Sequence, residues 1–296
     1  MSYSFECKYI VEGTRDNQTR GKERIVRVEI FFGKISKLRA FFCGVWYTVK
    51  NKRMGVRNYF MKPKYKRILL KLSGEALAGE QRFGLNEQVI ASVVDQLVEI
   101  HNMGVEIALV IGGGNFWRGR QGTKMDRTTA DHMGMLATVM NSLAMMDAIE
   151  QRGIPTRVQT ALNMISVAEP YVLRKALHHF EKQRIVILAC GTGNPYCSTD
   201  TAAAQRACEI NADVLLMAKN VDGIYDSDPS INPNAKKYEH LTFGDIVNKG
   251  LKAMDATAAT MCMENDVPVL AFALNEPRSL VRAVCGEKLG TLISNN

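Results

Sequence analysis

A chain of 296 residues that is 46% hydrophobic and 23% charged holds enough apolar material for one large α/β domain or two small ones, and its composition excludes a disordered or fibrous protein. Its net charge of +8 suggests nucleic acid only until it is mapped: residues 1–60 hold 13 Lys and Arg against 5 Asp and Glu, and the rest carries 25 of each, so the main body has no basic footprint. Seven cysteines without a C-x-x-C or a His pair at zinc spacing suit free thiols in a reducing cytoplasm, no apolar run approaches the ~20 residues of a membrane span, and Glu6 and Glu12 interrupt any signal-peptide pattern.

Residues 1–60 differ from the rest of the chain. Apolar fragments at 25–32 and 41–47 alternate with basic residues, and no acid falls between Glu29 and Glu75. Two readings fit, a small basic β-rich appendage or upstream sequence ahead of a true start at Met61 (or Met54), and the composition favours the second. The expected organisation is a basic N-terminal extension over 1–60 and a catalytic domain over 61–296.

From residue 66 the pattern turns regular. Arg67-Ile-Leu-Leu-Lys-Leu-Ser-Gly predicts a strand running into a Ser-Gly turn. Asn86 caps a helix to about Met103, with Val89, Val93, Leu97 and Ile100 on one stripe and Gly104 closing it. A second buried strand at 106–111 runs into Gly112-Gly113-Gly114-Asn115. A Met-rich helix is expected over about 128–151, a short strand at 156–160 and a helix at 168–182. Residues 185–188 read as a buried strand, Gly191-Thr-Gly-Asn-Pro as a turn that neither strand nor helix tolerates, and Ser198, Thr199 and Asp200 as good N-caps of the next helix. A strand at 212–217 leaves into a loop dense in Asp and Gly. Short helices near 243–249 and 253–265, a strand at 267–273, a helix from Pro277 and a strand at 291–293 complete the chain. This alternation predicts an α/β fold with a mostly parallel central sheet covered by helices on both faces. In such sheets ligands sit beyond the carboxyl ends of the strands.

No G-x-x-x-x-G-K-[ST] loop is present, and the Gly191 and Gly112 runs each lack the last glycine of G-x-G-x-x-G. Strand, glycine turn and helix N-terminus is nevertheless a layout that holds an anion, because unpaired backbone N–H groups and the helix dipole converge there. The 191–200 turn is therefore read as a phosphate-handling site, and three glycines followed by Arg118 and Arg120 as a second anion site. Lys71, two residues before Ser73-Gly74, suits charge neutralisation between two phosphates, or else a lysine snorkelling from a strand edge. Asp200 is either a plain N-cap or a group that orients Lys71 or a metal-bound phosphate. Asp131 suits ribose hydroxyls or a helix cap, and His132 reads as a satisfied polar residue. Met135, Met140, Met145 and Met146 fit a core or a subunit interface. Asp222, Asp226 and Asp228 around Tyr225 suit a loop that stacks a base and holds a sugar.

Together these residues resemble the bacterial UMP kinases (uridylate kinases) of the amino acid kinase superfamily. The resemblance covers about 66–293 and leaves out 1–60. It rests on Lys71-Leu-Ser-Gly74-Glu-Ala-Leu, Val110-Ile-Gly-Gly-Gly-Asn-Phe-Trp-Arg118-Gly, Asp131-His-Met-Gly-Met-Leu-Ala-Thr, Gly191-Thr-Gly-Asn-Pro-Tyr and Val221-Asp-Gly-Ile-Tyr225-Asp-Ser-Asp228-Pro. The third and fourth separate the chain from carbamate, acetylglutamate, glutamate and aspartate kinases of the same fold, and the lack of a P-loop separates it from eukaryotic UMP/CMP kinases. The resemblance implies transfer of the ATP γ-phosphoryl group to UMP in pyrimidine nucleotide biosynthesis, with Mg²⁺ accompanying ATP. It implies Lys71, Arg118 and Asp200 as catalytic residues, and Lys71, Leu72, Ser73, Gly74, Gly114, Arg118, Lys219, Asn220, Tyr225 and Asp228 as ATP contacts. The loop between Lys219 and Tyr225 is a residue shorter than in relatives reading Ala-Lys-Asn-x-Val-Asp-Gly, which leaves open whether Lys219 or Asn220 meets the nucleotide. UMP contacts are implied for Gly113, Asp131, Thr192, Gly193, Asn194, Pro195, Tyr196, Cys197, Ser198 and Thr199. Gly79-Glu80-Gln81-Arg82-Phe83-Gly84 resembles the loop through which GTP activates many members, and UTP inhibition and a homohexamer are implied as well. A rival from another class is a nucleotide-sensing or nucleic-acid-binding protein with a retired kinase body and 1–60 as its arm. It predicts degraded catalytic positions, whereas Lys71, Arg118 and Asp200 are in place.

Overall fold

Residues 62–118, 124–229, 231–251 and 253–295 are described by the computed structural model, together with the backbone of four strands ahead of them. The chain divides into two units, Met1–Tyr59 and Phe60–Asn296. In the first, β1 (Ser2–Tyr9) pairs antiparallel with β2 (Arg24–Phe31), and β3 (Leu38–Phe42) with β4 (Val45–Val49). The side chains of 1–61 lie outside the described residues, and with them the question of where the native chain starts.

In the second unit the strands are β5 (Arg67–Leu72), β6 (Glu106–Ile111), β7 (Thr156–Thr160), β8 (Glu169–Pro170), β9 (Ile185–Ala189), β10 (Val214–Lys219), β11 (Ile224–Tyr225), β12 (Lys237–Tyr238), β13 (His240–Thr242), β14 (Val269–Ala273) and β15 (Thr291–Ser294). Among the described residues, nine of them form one sheet in the order β13-β15-β14-β10-β5-β6-β9-β7-β8. All its pairs are parallel except β14 with β15. β11 and β12 make a separate antiparallel ribbon.

Alternation along the strands divides the apolar side chains between two cores. Ile68, Leu70 and Leu72 of β5 face one side with Ile107, Leu109 and Ile111 of β6, packed under α2 (Glu87–Asn102), α3 (Arg127–Glu150) and α8 (Ser279–Val284). Leu69, Ala108, Val110, Leu215 and Met217 face the other, under α4 (Leu173–Glu181), α5 (Thr199–Glu209), α6 (Phe243–Asn248) and α7 (Ala256–Glu264). Both faces are covered, which is why these strands read as unbroken apolar runs. Each fully buried Leu or Ile contributes about 1.5–3 kcal/mol relative to exposure, so a one-residue slip of β5 would forfeit many such terms. That fixes Lys71 on the α5 side, with Leu69. The same parity puts Lys219, two residues after Met217, on that side too.

The helix expected at 168–182 is a correction. Glu169–Pro170 is the edge strand β8, and α4 starts only at Leu173, because the residue before a proline is pushed toward extended backbone. The expected Ser-Gly turn continues into a one-turn helix, α1 (Gly74–Ala78), followed by a 3-10 turn at Gly79–Gln81. On α2 the buried stripe begins at Ile90 rather than Val89. Of the methionines of α3, Met135 and Met145 are in the core, whereas Met140 is 51% exposed.

Candidate active site

Lys71 is flanked in the sheet by Val110 of β6 and Met217 of β10, so its strand is central. This removes the strand-edge reading. Its side chain is mostly buried, and Nζ lies 2.8 Å from Asp200 Oδ1. Asp200 is not the cap of α5: Ser198 is, its Oγ accepting from the N–H groups of Asp200 (3.0 Å) and Thr201 (3.1 Å). With its backbone satisfied by Ser198, the Asp200 carboxylate is free to meet the lysine.

Lys219, at the end of β10, joins the same cluster. Its Nζ donates to the Ala253 carbonyl, and burial holds its ammonium below the usual lysine range, with Asp200 pulling it back up and Lys71 pushing it further down. Two lysines and one carboxylate thus stand at the carboxyl ends of two adjacent strands. The structure brings Lys219 to this cluster and leaves Asn220 exposed beside it.

Around the cluster the turns press together. Gly112 N–H donates to Leu72 O at 2.9 Å, and a Cβ on Gly74 would lie 2.3 Å from Asn115 Oδ1, 2.6 Å from Gly112 O and 2.9 Å from Gly114 N. The Leu72 side chain is fully buried in the first core, so only its backbone faces this region. A Cβ on Gly113 would meet Gly134 O at 2.7 Å, so helix α3 is docked directly on the second turn. Ser73 caps α1 through Ala76 N–H (3.1 Å). Arg118 forms an ion pair with Glu75 of α1 and is half exposed; Arg120 lies outside the described residues.

The other turn follows β9. Cys190 (φ 65°), Gly191 (φ 59°), Gly193 (φ 82°) and Tyr196 (φ 66°) are all left-handed, which costs a non-glycine residue about 1 kcal/mol or more and is held by outside bonds. Cys190 N–H donates to Thr138 Oγ1 at 2.9 Å, and Tyr196 N–H to Asp131 Oδ2 at 2.8 Å. Both Asp131 carboxylate oxygens also share the single Arg127 Nε–H (2.9 and 2.8 Å), and Arg127 lies 5.1 Å over the Tyr196 ring. The cap of α3 is Asp126, whose Oδ1 accepts from Thr129 N–H at 2.9 Å, so capping does not explain Asp131. Thr192 and Asn194 bond within the turn, and Tyr196 and Cys197 are exposed. Farther out, Tyr225 Oη donates to Asp222 Oδ1 (2.6 Å), and Lys237 reaches the same carboxylate (2.9 Å). Asp228 O accepts from Asn232 N–H at 2.8 Å.

The amino acid kinase family matches residues 66–272, the span that contains all of these turns. The chain belongs to the amino acid kinase family. Among solved structures it is similar to the UMP kinase of Bacillus anthracis (37% identity, TM-score 0.76, covering 78% of this chain and 97% of that one). The UMP kinase of Ureaplasma parvum is similar at 38% identity and a TM-score of 0.74, with coverage of 77% and 98%. The uridylate kinase of Archaeoglobus fulgidus is similar at 26% identity and a TM-score of 0.59, with coverage of 77% and 99%.

Within this amino acid kinase, sequence reasoning missed several residues that hold the site. Asp255 caps α7 through Ala258 N–H (2.8 Å), accepts from Thr201 Oγ1 (3.0 Å) and pairs with Ser198 Oγ. It thereby ties the start of α5 to α7, and its sequence signal was only that of an N-cap ahead of Ala256. Thr138 and Asn141 act on the turns from inside α3, and Arg127 from its first position, where a polar residue gives no sign of its partner. The expected GTP loop is a short surface segment whose Phe83 is 67% exposed and meets Phe116 edge-on at 5.7 Å.

Proposed function

We propose that this chain transfers the γ-phosphoryl group of ATP to UMP, giving UDP and ADP. The single observation that supports it best is the Lys71–Asp200 pair, mostly buried at the strand ends between two glycine turns in a chain similar to UMP kinases. ATP lies along Ser73-Gly74 and Gly112–Gly114, with Arg118 and Lys219 on its phosphates and Tyr225 and Asp228 near its nucleoside. UMP lies along residues 192–199, with Gly113 and Asp131 on its other side. A UMP phosphate oxygen attacks Pγ as the bond from Pγ to the bridging oxygen of ADP breaks. The attacking UMP oxygen is already ionised at neutral pH, so no base is needed, and the protein's work is alignment and charge neutralisation. Lys71 steadies the migrating group, and Asp200 fixes the lysine's position.

Among the described residues no group of three or more His, Cys, Asp or Glu is placed to hold a metal ion. Asp200 is the carboxylate at hand, which fits a Mg²⁺ carried mainly on the ATP phosphates. When bound, such an ion neutralises charge between the β- and γ-phosphates. The reading extends to a cytoplasmic enzyme of pyrimidine nucleotide biosynthesis, activated by GTP through 79–84, inhibited by UTP and assembled as a hexamer. Leu136 and Met140, both exposed and one turn apart on α3, support a contact between subunits. No helix among the described residues is long and apolar enough to cross a membrane.

A coupled ADP-release assay with UMP, CMP, acetylglutamate, carbamate and aspartate as acceptors tests the reading. UMP is expected to exceed CMP by about two orders of magnitude in kcat/KM, as when buried polar groups are left unpaired by the wrong ring. Comparable turnover of CMP or of acetylglutamate overturns the acceptor assignment.

A further inference from the structure

Beneath the triple-glycine turn, Asn115 (1% exposed) and Asn141 of α3 (0% exposed) face each other as a closed amide pair. Asn141 Nδ2 donates to Asn115 Oδ1 at 2.7 Å, and Asn115 Nδ2 donates to Asn141 Oδ1 at 3.0 Å. The second donor of each amide is also used: Asn141 Nδ2 reaches Gly112 O at 2.6 Å, and Asn115 Nδ2 reaches Gly84 O at 2.7 Å. Both outer partners are carbonyls, which only accept, so neither amide can be turned over. Gly84 N–H donates back to Asn115 O at 3.2 Å. Asn115 therefore holds the end of the 79–84 segment and the end of the glycine turn at once.

Three consecutive glycines have little conformational preference of their own. A turn built from them presents a fixed row of N–H groups only if something outside it holds the chain. We propose that the Asn115–Asn141 pair is the positioning device of the donor-phosphate turn, setting Gly112–Gly114 against Ser73-Gly74 and linking the 79–84 segment to that setting. This rests on the kinase reading of the site. Neither side chain touches substrate; both act through the backbone they hold.

The test is to measure ATP binding by calorimetry, and KM for ATP and for UMP, on the full chain and on Asn141→Ala, Asn115→Ala, the double variant and Asn141→Asp. Loss of the pair is expected to weaken ATP binding and raise the KM for ATP by about tenfold to a hundredfold, the effect of one unmade buried hydrogen bond, while the KM for UMP, which meets this turn at Gly113 alone, rises by no more than about threefold. The double variant is expected to be no worse than the poorer single one. Asn141→Asp places a carboxylate against two carbonyl-type oxygens, and its ATP defect is expected to shrink from about pH 8 to about pH 6 as it takes up a proton. That pH rescue is independent of whether Asn141→Ala folds. Unchanged ATP affinity in a folded variant, or a parallel rise in both KM values, overturns the proposal and leaves the kinase reading standing. A parent chain that binds no ATP refutes both.

Discussion

Lys71 Nζ stands 2.8 Å from Asp200 Oδ1 although one ends a strand and the other opens a helix far along the chain. The contact exists because alternation puts Lys71 on the α5 face and Ser198 takes over the capping of that helix. A cation placed there matters most when negative oxygen is most crowded, as the γ-phosphoryl group moves. Lys71→Ala is expected to lower kcat by about two to three orders of magnitude, like loss of one preorganised charge donor, with little change in UMP affinity. Arg118→Ala, removing a half-exposed side chain paired with Glu75, is expected mainly to raise the KM for ATP. Steady-state kinetics on folded variants decide it, and a kcat of Lys71→Ala within a few-fold of the parent moves the catalytic role to Lys219 or Arg118.

The depressed Lys219 sets a pH signature. Its cation is lost at lower pH than the ordinary lysine value of 10.5, so kcat/KM for ATP is expected to fall on the alkaline side before that point. Stability runs the other way. Between the depressed value and 10.5 the unfolded chain holds a proton that the folded chain has released, so the cost of unfolding rises with pH across that window. Lys219→Arg keeps the charge and is expected to remove the alkaline limb. A pH–rate profile beside thermal melts checks both signs, and an unchanged limb in the arginine variant would refute the assignment.

On the proposed acceptor side, Asp131 is the residue to test. It holds the left-handed Tyr196 through its N–H and is itself held by Arg127. Asp131→Ala is expected to raise the KM for UMP by about tenfold or more, the cost of one charge-assisted bond, and to leave the KM for ATP within about twofold. Equal shifts in both would mean that the residue braces α3 as a whole.

Much of this was legible in the chain. Buried strands show as apolar runs, but the strand expected at 212–217 runs at 214–219, and it takes the register of Lys71 beside Met217 to put Lys71 and Lys219 on one face. The glycine turns and the Asn86 cap are equally local signals. What stayed hidden is long-range: nothing near Asp255 says that its carboxylate reaches Ser198, and nothing near Asn141 says that it faces Asn115. Two-residue strands such as β8 leave no period to detect, which is how a helix came to be expected across Glu169–Pro170. Asp126 and Asp131 both suit a helix start, and only the N–H group each accepts from tells them apart.

Gly74 tests how closely the turns are packed. A methyl there would press on Gly112 O and Gly114 N as well as the Asn115 amide, and backbone cannot step aside as a flexible side chain does. Gly74→Ala is expected to cost about 1–3 kcal/mol by overpacking and to abolish measurable saturation with ATP. Gly134→Ala is the control on α3, where the nearest atom to a new Cβ is Trp117 Cδ1 at 4.0 Å. There the helix is expected to gain up to about 1 kcal/mol. Melting temperatures of the pair give the answer; a tolerated Gly74→Ala would mean that the two turns can part.

Residues 1–60 are expected to be dispensable for catalysis. The nine-stranded sheet, both cores and every residue assigned to ATP or UMP lie in Phe60–Asn296, and the family match begins at residue 66. The two UMP kinases similar at 37% and 38% identity are covered over 97% and 98% of their own lengths while 78% and 77% of this chain is used. A chain beginning at Met61 is therefore expected to melt at the same temperature as the full chain and to keep kcat/KM within about twofold, as a unit with its own core can fold alone. Removal also takes away 13 basic and 5 acidic residues, which is the whole net charge of +8. Near zero net charge proteins associate and precipitate more readily, so the shortened chain is expected to be less soluble near neutral pH at unchanged activity per mole. Activity is best compared at about pH 8 or above, where deprotonation adds negative charge and restores repulsion. A soluble but inactive shortened chain would show that residues 1–60 serve the catalytic unit.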